Sequence, residues 1–91
     1  MKVLVTGAAG FIGTNLMLAL MHEGVDVVAV DSLTRRGTEK NLETIRARYP
    51  SVRFLVREVE EFAQIIYQER PELIFHFAAQ VAVTSSVENP T

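Results

Sequence analysis

Cysteine is absent from this 91-residue chain, which excludes a disulfide framework and any thiolate metal site. A chain without cysteine fits a reducing, cytoplasmic setting. Excess charge of either sign is also missing. Nine Lys and Arg stand against eleven Asp and Glu, for a formal net charge of -2, which gives no reason to expect nucleic acid or an anionic membrane as a partner. Long hydrophobic runs are lacking too. The most apolar stretch, residues 73–83, is interrupted by His76 and Gln80 and is too short to cross a bilayer. Lys2 precedes an apolar run, but that run meets Gly7 too soon for a signal-peptide core. There is no low-complexity tract, linker or internal repeat. What remains is 48% hydrophobic and 22% charged, the balance of a soluble globular protein with room for one small domain.

Hydrophobic periodicity divides the chain into alternating strands and helices. Residues 3–5 form a short apolar run, β1, closed by Thr6 and Gly7. Ile12, Leu16, Ala19 and Leu20 recur at helical spacing and predict one buried helix face, with Gly24 placed for a left-handed cap. Residues 25–30 predict β2, ending at Asp31. A polar loop follows to Thr38, which suits the N-cap of a second helix. Leu42, Ile45 and Tyr49 give that helix its stripe, and Pro50 closes it. Residues 52–56 predict β3. A third helix carries Phe62, Ile65 and Ile66 behind an acidic start at Glu60 and Glu61 and stops at Pro71. Residues 73–78 predict β4. Such β-α alternation means a parallel sheet with helices on its faces. The expected fold is therefore an α/β Rossmann-type sheet of order 3-2-1-4, with the binding crevice where the order reverses between β1 and β4.

The segment from Thr6 through Gly7, Gly10, Phe11 and Ile12 to Gly13 lies between a strand and a helix. There the chain must turn sharply at Gly7, approach a pyrophosphate closely near Gly10, and pack the helix on the sheet at Gly13. The N–H groups of Phe11 and Ile12 would face the phosphates at the positive end of the helix. Asp31 follows at about the 20-residue separation expected for a carboxylate on the adenosine ribose. Such a carboxylate accepts from both ribose hydroxyls and repels a 2′-phosphate, so NAD is favoured over NADP, although Arg35 and Arg36 could accept a 2′-phosphate. Three glycines used only for turning and packing are the bland alternative. Their position between strand and helix, answered by Asp31, favours a dinucleotide site.

The spacing of Gly7, Gly10 and Gly13 behind Thr6 resembles the extended short-chain dehydrogenase/reductases, the NAD-dependent nucleotide-sugar epimerases and dehydratases. So does the segment from His76 through Gln80, Val83 and Ser86 to Pro90. Within that family the stretch from Asp31 to Gly37, with Asn41 and Leu42, and the stretch from Gln80 to Thr84 resemble the CDP-paratose 2-epimerase branch; the UDP-sugar 4-epimerases share the glycine loop. The resemblance implies a pyrophosphate held by Gly7, Gly10, Phe11 and Ile12, and an adenosine ribose among Asp31, Ser32 and Arg35. It places Glu58 and Val59 about the adenine, Phe77, Ala78, Ala79 and Gln80 along the cofactor, and Val83 and Ser86 near the nicotinamide and the sugar. Glu58 departs from the Asp usual in the family. The implied substrate is a nucleotide-diphosphate sugar, whose carbinol NAD would oxidise and reduce again.

The family's catalytic pair is a Tyr with a Lys four residues later, whose charge favours the phenolate. Here Arg53 follows Tyr49 at that distance and Pro71 follows Tyr67, so neither fits. The chain is thus expected to be the amino-terminal part of a dinucleotide-binding domain, residues 1–91, without turnover of its own. The rival reading is a stand-alone dinucleotide or redox-sensing module. His76 is expected to be a strand residue fixed by packing, His22 to answer a helix dipole, Arg46 and Arg48 to face solvent, and Glu58, Glu60 and Glu61 to mark a helix start rather than a metal site. Tyr67 is left open between core and surface. An uncovered, apolar β4 edge is expected to drive self-association into a homo-oligomer.

Overall fold

The computed structural model describes residues 1–77. Four parallel strands form one sheet in the order β3-β2-β1-β4. β1 is Lys2–Thr6, β2 Asp26–Asp31, β3 Arg53–Val56 and β4 Leu73–His76. Helices α1 (Phe11–His22), α2 (Thr38–Arg48) and α3 (Phe62–Glu69) alternate with them. The expected order and element succession are therefore what the chain adopts. Thr6 of β1 pairs in register with Val30 and with His76, and Asp31 with Val56. All four strands thus end on one edge of the sheet.

Strand side chains alternate between two cores, as the pleat requires. Val3, Val5, Val27, Ala29 and Phe54 pack under α1 and α2 with Met17, Leu42 and Ile45. Leu4, Val28 and Val30 pack under α3 with Phe62 and Ile65. Covered on both faces, β1 and β2 read as unbroken apolar runs.

The phase of α1 differs from the expected one. Gly13, Thr14 and Met17 are buried, whereas Ile12 is 58% exposed and Ala19 also faces out. Apolar residues surround most of this helix, so periodicity alone admits more than one buried stripe. The phase is set by the contact at Gly13, where an added Cβ would lie 2.2 Å from the Gly7 carbonyl oxygen. The helix then ends as expected. Gly24 takes φ 78°, and the N–H groups of Gly24 and Val25 donate to the carbonyls of Met21 and Leu20, a Schellman closure.

Thr38 does not cap α2. Gly37 stands at the N-cap with φ 87°, and the Thr38 hydroxyl instead donates to the Arg35 carbonyl at 2.7 Å. A side chain can cap only from the half-in position, and the left-handed bend at Gly37 puts Thr38 one residue too far into the helix. The acidic start expected for the third helix is a separate 3-10 turn, Val59–Glu61, in which the Glu61 carboxylate accepts the Glu58 N–H at 2.9 Å. Arg70 reverses the chain with φ 51° before Pro71.

At the N-terminal end of the strands, charges bind elements together. The Glu69 carboxylate, at the end of α3, takes both arms of the Arg53 guanidinium at 2.9 and 3.0 Å and the Lys2 ammonium at 2.8 Å. The Arg53 hydrogen bonds, followed by that of Lys2, hold its carboxyl down at about 2. Among the described residues, no helix is long and apolar enough to cross a membrane.

Candidate functional site

The site lies at the opposite end, where the strands stop. Gly7 leaves β1 with φ 69°, a conformation open to glycine at little cost. Its carbonyl accepts the Gly10 N–H at 3.1 Å, closing a tight turn into α1. The Ala8 N–H donates to the Val30 carbonyl at 3.2 Å, which fastens the loop to the end of β2. Among the described residues, the backbone N–H groups of Phe11, Ile12 and Gly13 take no acceptor. They are the first-turn donors that an α-helix leaves unpaired, at its positive end.

Asp31 is buried beside this loop, only 5% exposed. Its Oδ2 accepts the Ala9 N–H at 2.8 Å and its Oδ1 the Leu33 N–H at 2.9 Å. The second bond holds a turn in which Leu33 takes φ 61°, unusual for a residue with a side chain. Carboxylate oxygens offer about four lone-pair directions, so two stay open for a ligand's hydroxyls.

Two adjoining hollows follow the strand ends. One, of about 240 Å³, is lined by Gly7, Gly10, Phe11, Ile12, Gly13, Arg35 and Phe77. The other, of about 100 Å³, is lined by Gly7, Asp31, Ser32, Thr34, Arg35, Val59 and Phe62. Gly7 and Arg35 are common to both, so the pair forms one track from the glycine loop to the end of β2. Arg35 reaches further than the ribose position expected for it. A Cβ placed on Gly10 would lie 2.9 Å from one of its guanidinium nitrogens, so this cation sits over the bare face of Gly10.

The structure therefore brings together Gly7, Gly10, Phe11, Ile12, Gly13, Asp31, Ser32, Arg35, Val59 and Phe77 from the sequence-based set. Glu58 is exposed and lines neither hollow. Ala78, Ala79, Gln80, Val83 and Ser86 lie outside the described residues. His76 is fixed by a hydrogen bond rather than by packing: its Nδ1 lies 2.6 Å from the Thr6 hydroxyl, and the residue is exposed. Tyr67 is 77% exposed and belongs to the surface. Among the described residues, no group of His, Asp and Glu gathers in a way that could hold a metal ion.

Residue reasoning gave no place in the site to Thr14, Thr34 or Asn41, and took Phe62 only as part of a buried helix stripe. The Thr14 hydroxyl donates to the Ala8 carbonyl at 3.2 Å, and the Asn41 amide to the Ala9 carbonyl at 2.7 Å. The available signal for Asn41 was its place beside buried Leu42, at the rim of the helix stripe rather than on its solvent face.

The chemistry on offer is that of a cradle for a phosphorylated nucleotide. Unpaired N–H groups and a guanidinium face a surface with no Cβ, and a carboxylate waits at the far end of the track. Comparison with known proteins agrees. The profile of the NAD dependent epimerase/dehydratase family matches residues 3–91. The chain is 35% identical to CDP-paratose 2-epimerase of Salmonella typhi over 92 residues, covering 99% of this chain and 27% of that protein. It is 37% identical to UDP-glucose 4-epimerase of Mycolicibacterium smegmatis, again over 99% of this chain and 29% of that protein. Among solved structures, UDP-glucose 4-epimerase of Thermus thermophilus in complex with NAD superposes with a TM-score of 0.68 at 34% identity, covering 100% of this chain and 28% of that one. The UDP-glucose 4-epimerase of Thermotoga maritima with UDP-glucose gives 0.69 at 36%, with 99% and 28% covered. The chain thus spans between a quarter and a third of the length of these relatives, and it belongs to the NAD dependent epimerase/dehydratase family.

Proposed function

We propose that this chain is the NAD-binding amino-terminal part of a nucleotide-sugar epimerase or dehydratase. The observation that carries this is the juxtaposition at Gly10: unpaired N–H groups of Phe11 and Ile12, the Arg35 guanidinium over a position without a side chain, and buried Asp31 further along the same track. Phe11 and Ile12 would donate to the pyrophosphate, and Arg35 would offset its charge. Asp31 would accept the ribose hydroxyls with its remaining lone pairs, which favours NAD over NADP. Ser32 would border the ribose beside Asp31 and Val59 the adenine, and Glu58 would act there only by moving from its exposed position. Bound NAD supplies a hydride acceptor and donor for a sugar carbinol. Ala78, Ala79 and Gln80 would continue the cofactor track, and Val83 and Ser86 would meet the nicotinamide and the sugar.

The finer reading is an epimerase of the CDP-paratose 2-epimerase type. It is supported by the stretch from Asp31 to Gly37 with Asn41, and by the relative from Salmonella typhi at 35% identity. A UDP-sugar 4-epimerase is the second reading, favoured by the relative at 37%. Neither tyrosine is followed at four residues by Lys, so this chain alone would bind NAD without turning over a sugar. A cytoplasmic setting and association of two copies through β4 belong to the same proposal. Leu73 and Ile74 of that strand are 43% and 40% exposed.

Calorimetric titration tests the core of it. NAD should bind more tightly than NADP, and Gly10→Val should abolish binding while the circular dichroism spectrum stays native. The valine would meet the movable end of Arg35 at 2.9 Å and the Gly7 carbonyl only at 3.3 Å, so the fold survives and the phosphate approach does not. Tighter NADP binding, or a folded Gly10→Val that binds NAD normally, overturns the reading.

A further inference from the structure

Two consecutive peptide planes in the glycine loop are each fixed at both ends. In the plane between Ala8 and Ala9, the carbonyl accepts the Thr14 hydroxyl at 3.2 Å and the N–H donates to Asp31 Oδ2 at 2.8 Å. In the plane between Ala9 and Gly10, the carbonyl accepts the Asn41 amide at 2.7 Å and the N–H donates to the Gly7 carbonyl at 3.1 Å. Ala9 itself is fully buried. Its peptide groups could not turn to water for replacements, and an unsatisfied buried group is costly.

From this geometry we propose that Asp31 and Asn41 are positioning residues that hold the phosphate cradle in its binding shape before any ligand arrives. They grip Ala9 from two elements, the end of β2 and the first turns of α2. The loop then has no freedom to swing its next residues. Phe11 and Ile12 come directly after Gly10, so their outward N–H directions are set by the clamp at Ala9. A preformed cradle spares the ligand the cost of ordering the loop.

The clamp also ties cofactor choice to loop shape. Asp31 is the group that would refuse a 2′-phosphate, and the same carboxylate orders the glycine loop. Replacing it to admit NADP removes the acceptor for Ala9 and spoils the pyrophosphate site along with the ribose site. Preference for NAD is thereby locked by the fold of the loop, and a change of cofactor would need a new acceptor for the Ala9 N–H.

This inference rests on reading the loop as a phosphate site, and its test separates the two. First, backbone amide hydrogen exchange is followed in the ligand-free chain and in Asp31→Ala and Asn41→Ala. The Ala9 amide should exchange at least about tenfold faster in Asp31→Ala, while Val28 keeps its wild-type rate. Second, ADP and adenosine are titrated into wild type, Asn41→Ala and the isosteric Asn41→Asp. Asn41→Ala should weaken ADP by about tenfold, with adenosine unchanged, and Asn41→Asp, which sets an acceptor against the Ala9 carbonyl, at least as much. A role in helix stability alone would weaken both ligands in proportion. The clamp is overturned if the Ala9 exchange rate is the same in Asp31→Ala as in wild type. It is overturned equally if Asn41→Ala binds ADP as wild type does. If Asp31→Ala does not fold, the Asn41 variants decide. A wild-type chain that binds neither ADP nor NAD removes the phosphate reading, and Ala9 exchange still decides whether the clamp exists.

Discussion

The two ends of the sheet use their polar groups in opposite ways. At the N-terminal end the charges are spent on one another: Glu69 holds Arg53 and Lys2, and the Glu72 carboxylate accepts the Lys2 N–H at 2.9 Å. At the C-terminal end, side chains are spent on fixing backbone, by Asp31, Asn41 and Thr14. Among the described residues, the N–H groups of Phe11 and Ile12 and the Arg35 guanidinium are left over. A fold closes its electrostatics where it needs only to stay together and leaves them open where it needs to receive something. The glycines divide in the same way. Gly13 is required for space, with backbone atoms at 2.2 and 2.9 Å from an added Cβ, whereas Gly24 has nothing within 4 Å and is required for its φ of 78°.

Three substitutions sharpen this contrast. The largest effect belongs to Gly13→Val, because the obstructing atoms are backbone of the loop and cannot rotate away. Urea denaturation should show a loss of about 3 kcal/mol or more, with NAD binding lost as well. A loss under about 1 kcal/mol would mean that α1 does not press on the loop as described. Gly24→Ala comes next. Only backbone strain opposes it, so it should cost about 1–2 kcal/mol and leave NAD affinity intact in the folded fraction. An equal penalty at the two glycines would erase the distinction between space and φ.

The smallest effect is at Glu69, and it is legible through pH. Its carboxyl is depressed from 4.5 to about 2 in the folded chain. The stabilisation is therefore complete above pH 4.5 and drains away as pH falls toward about 2. Arg53 is half exposed, so solvent screening keeps the pair at about 1 kcal/mol or less. Glu69→Gln should flatten that part of the stability profile without touching NAD binding. A variant with the wild-type slope would show that Glu69 stays unpaired in solution.

Most of the fold was readable because each element announces itself locally. The runs in β1 and β2, the pause at Gly24 and the stop at Pro71 need no partner to be recognised. The errors occurred where a local pattern admits two solutions. Apolar residues nearly surround α1, and only a contact with a distant loop carbonyl chooses its phase. Thr38 is a good capping residue by type, yet Gly37 bends the chain one position earlier. In the site, the glycines, Phe11, Ile12 and Asp31 could be brought to adjoining hollows from spacing alone, since a strand, a turn and a helix fix their separation. Asn41 could not be assigned its contact, because a side chain that serves another segment's backbone leaves no periodic trace. The reach of Arg35 to Gly10 was hidden for the same reason.

The central position of β1 has a consequence for the order of assembly. Its contact with β2 closes over a short span, as in the 22-residue separation of Ala9 and Asp31, whereas Thr6 and His76 are 70 residues apart. Closing the longer span costs about 1 kcal/mol more chain entropy, and contacts so far apart slow folding. The β1-α1-β2 unit, which carries the whole glycine loop and Asp31, can therefore take shape before β4 pairs with β1. As the chain leaves the ribosome, the loop after β1 is the part that matures early, and β4, which pairs on the other side of β1, comes later.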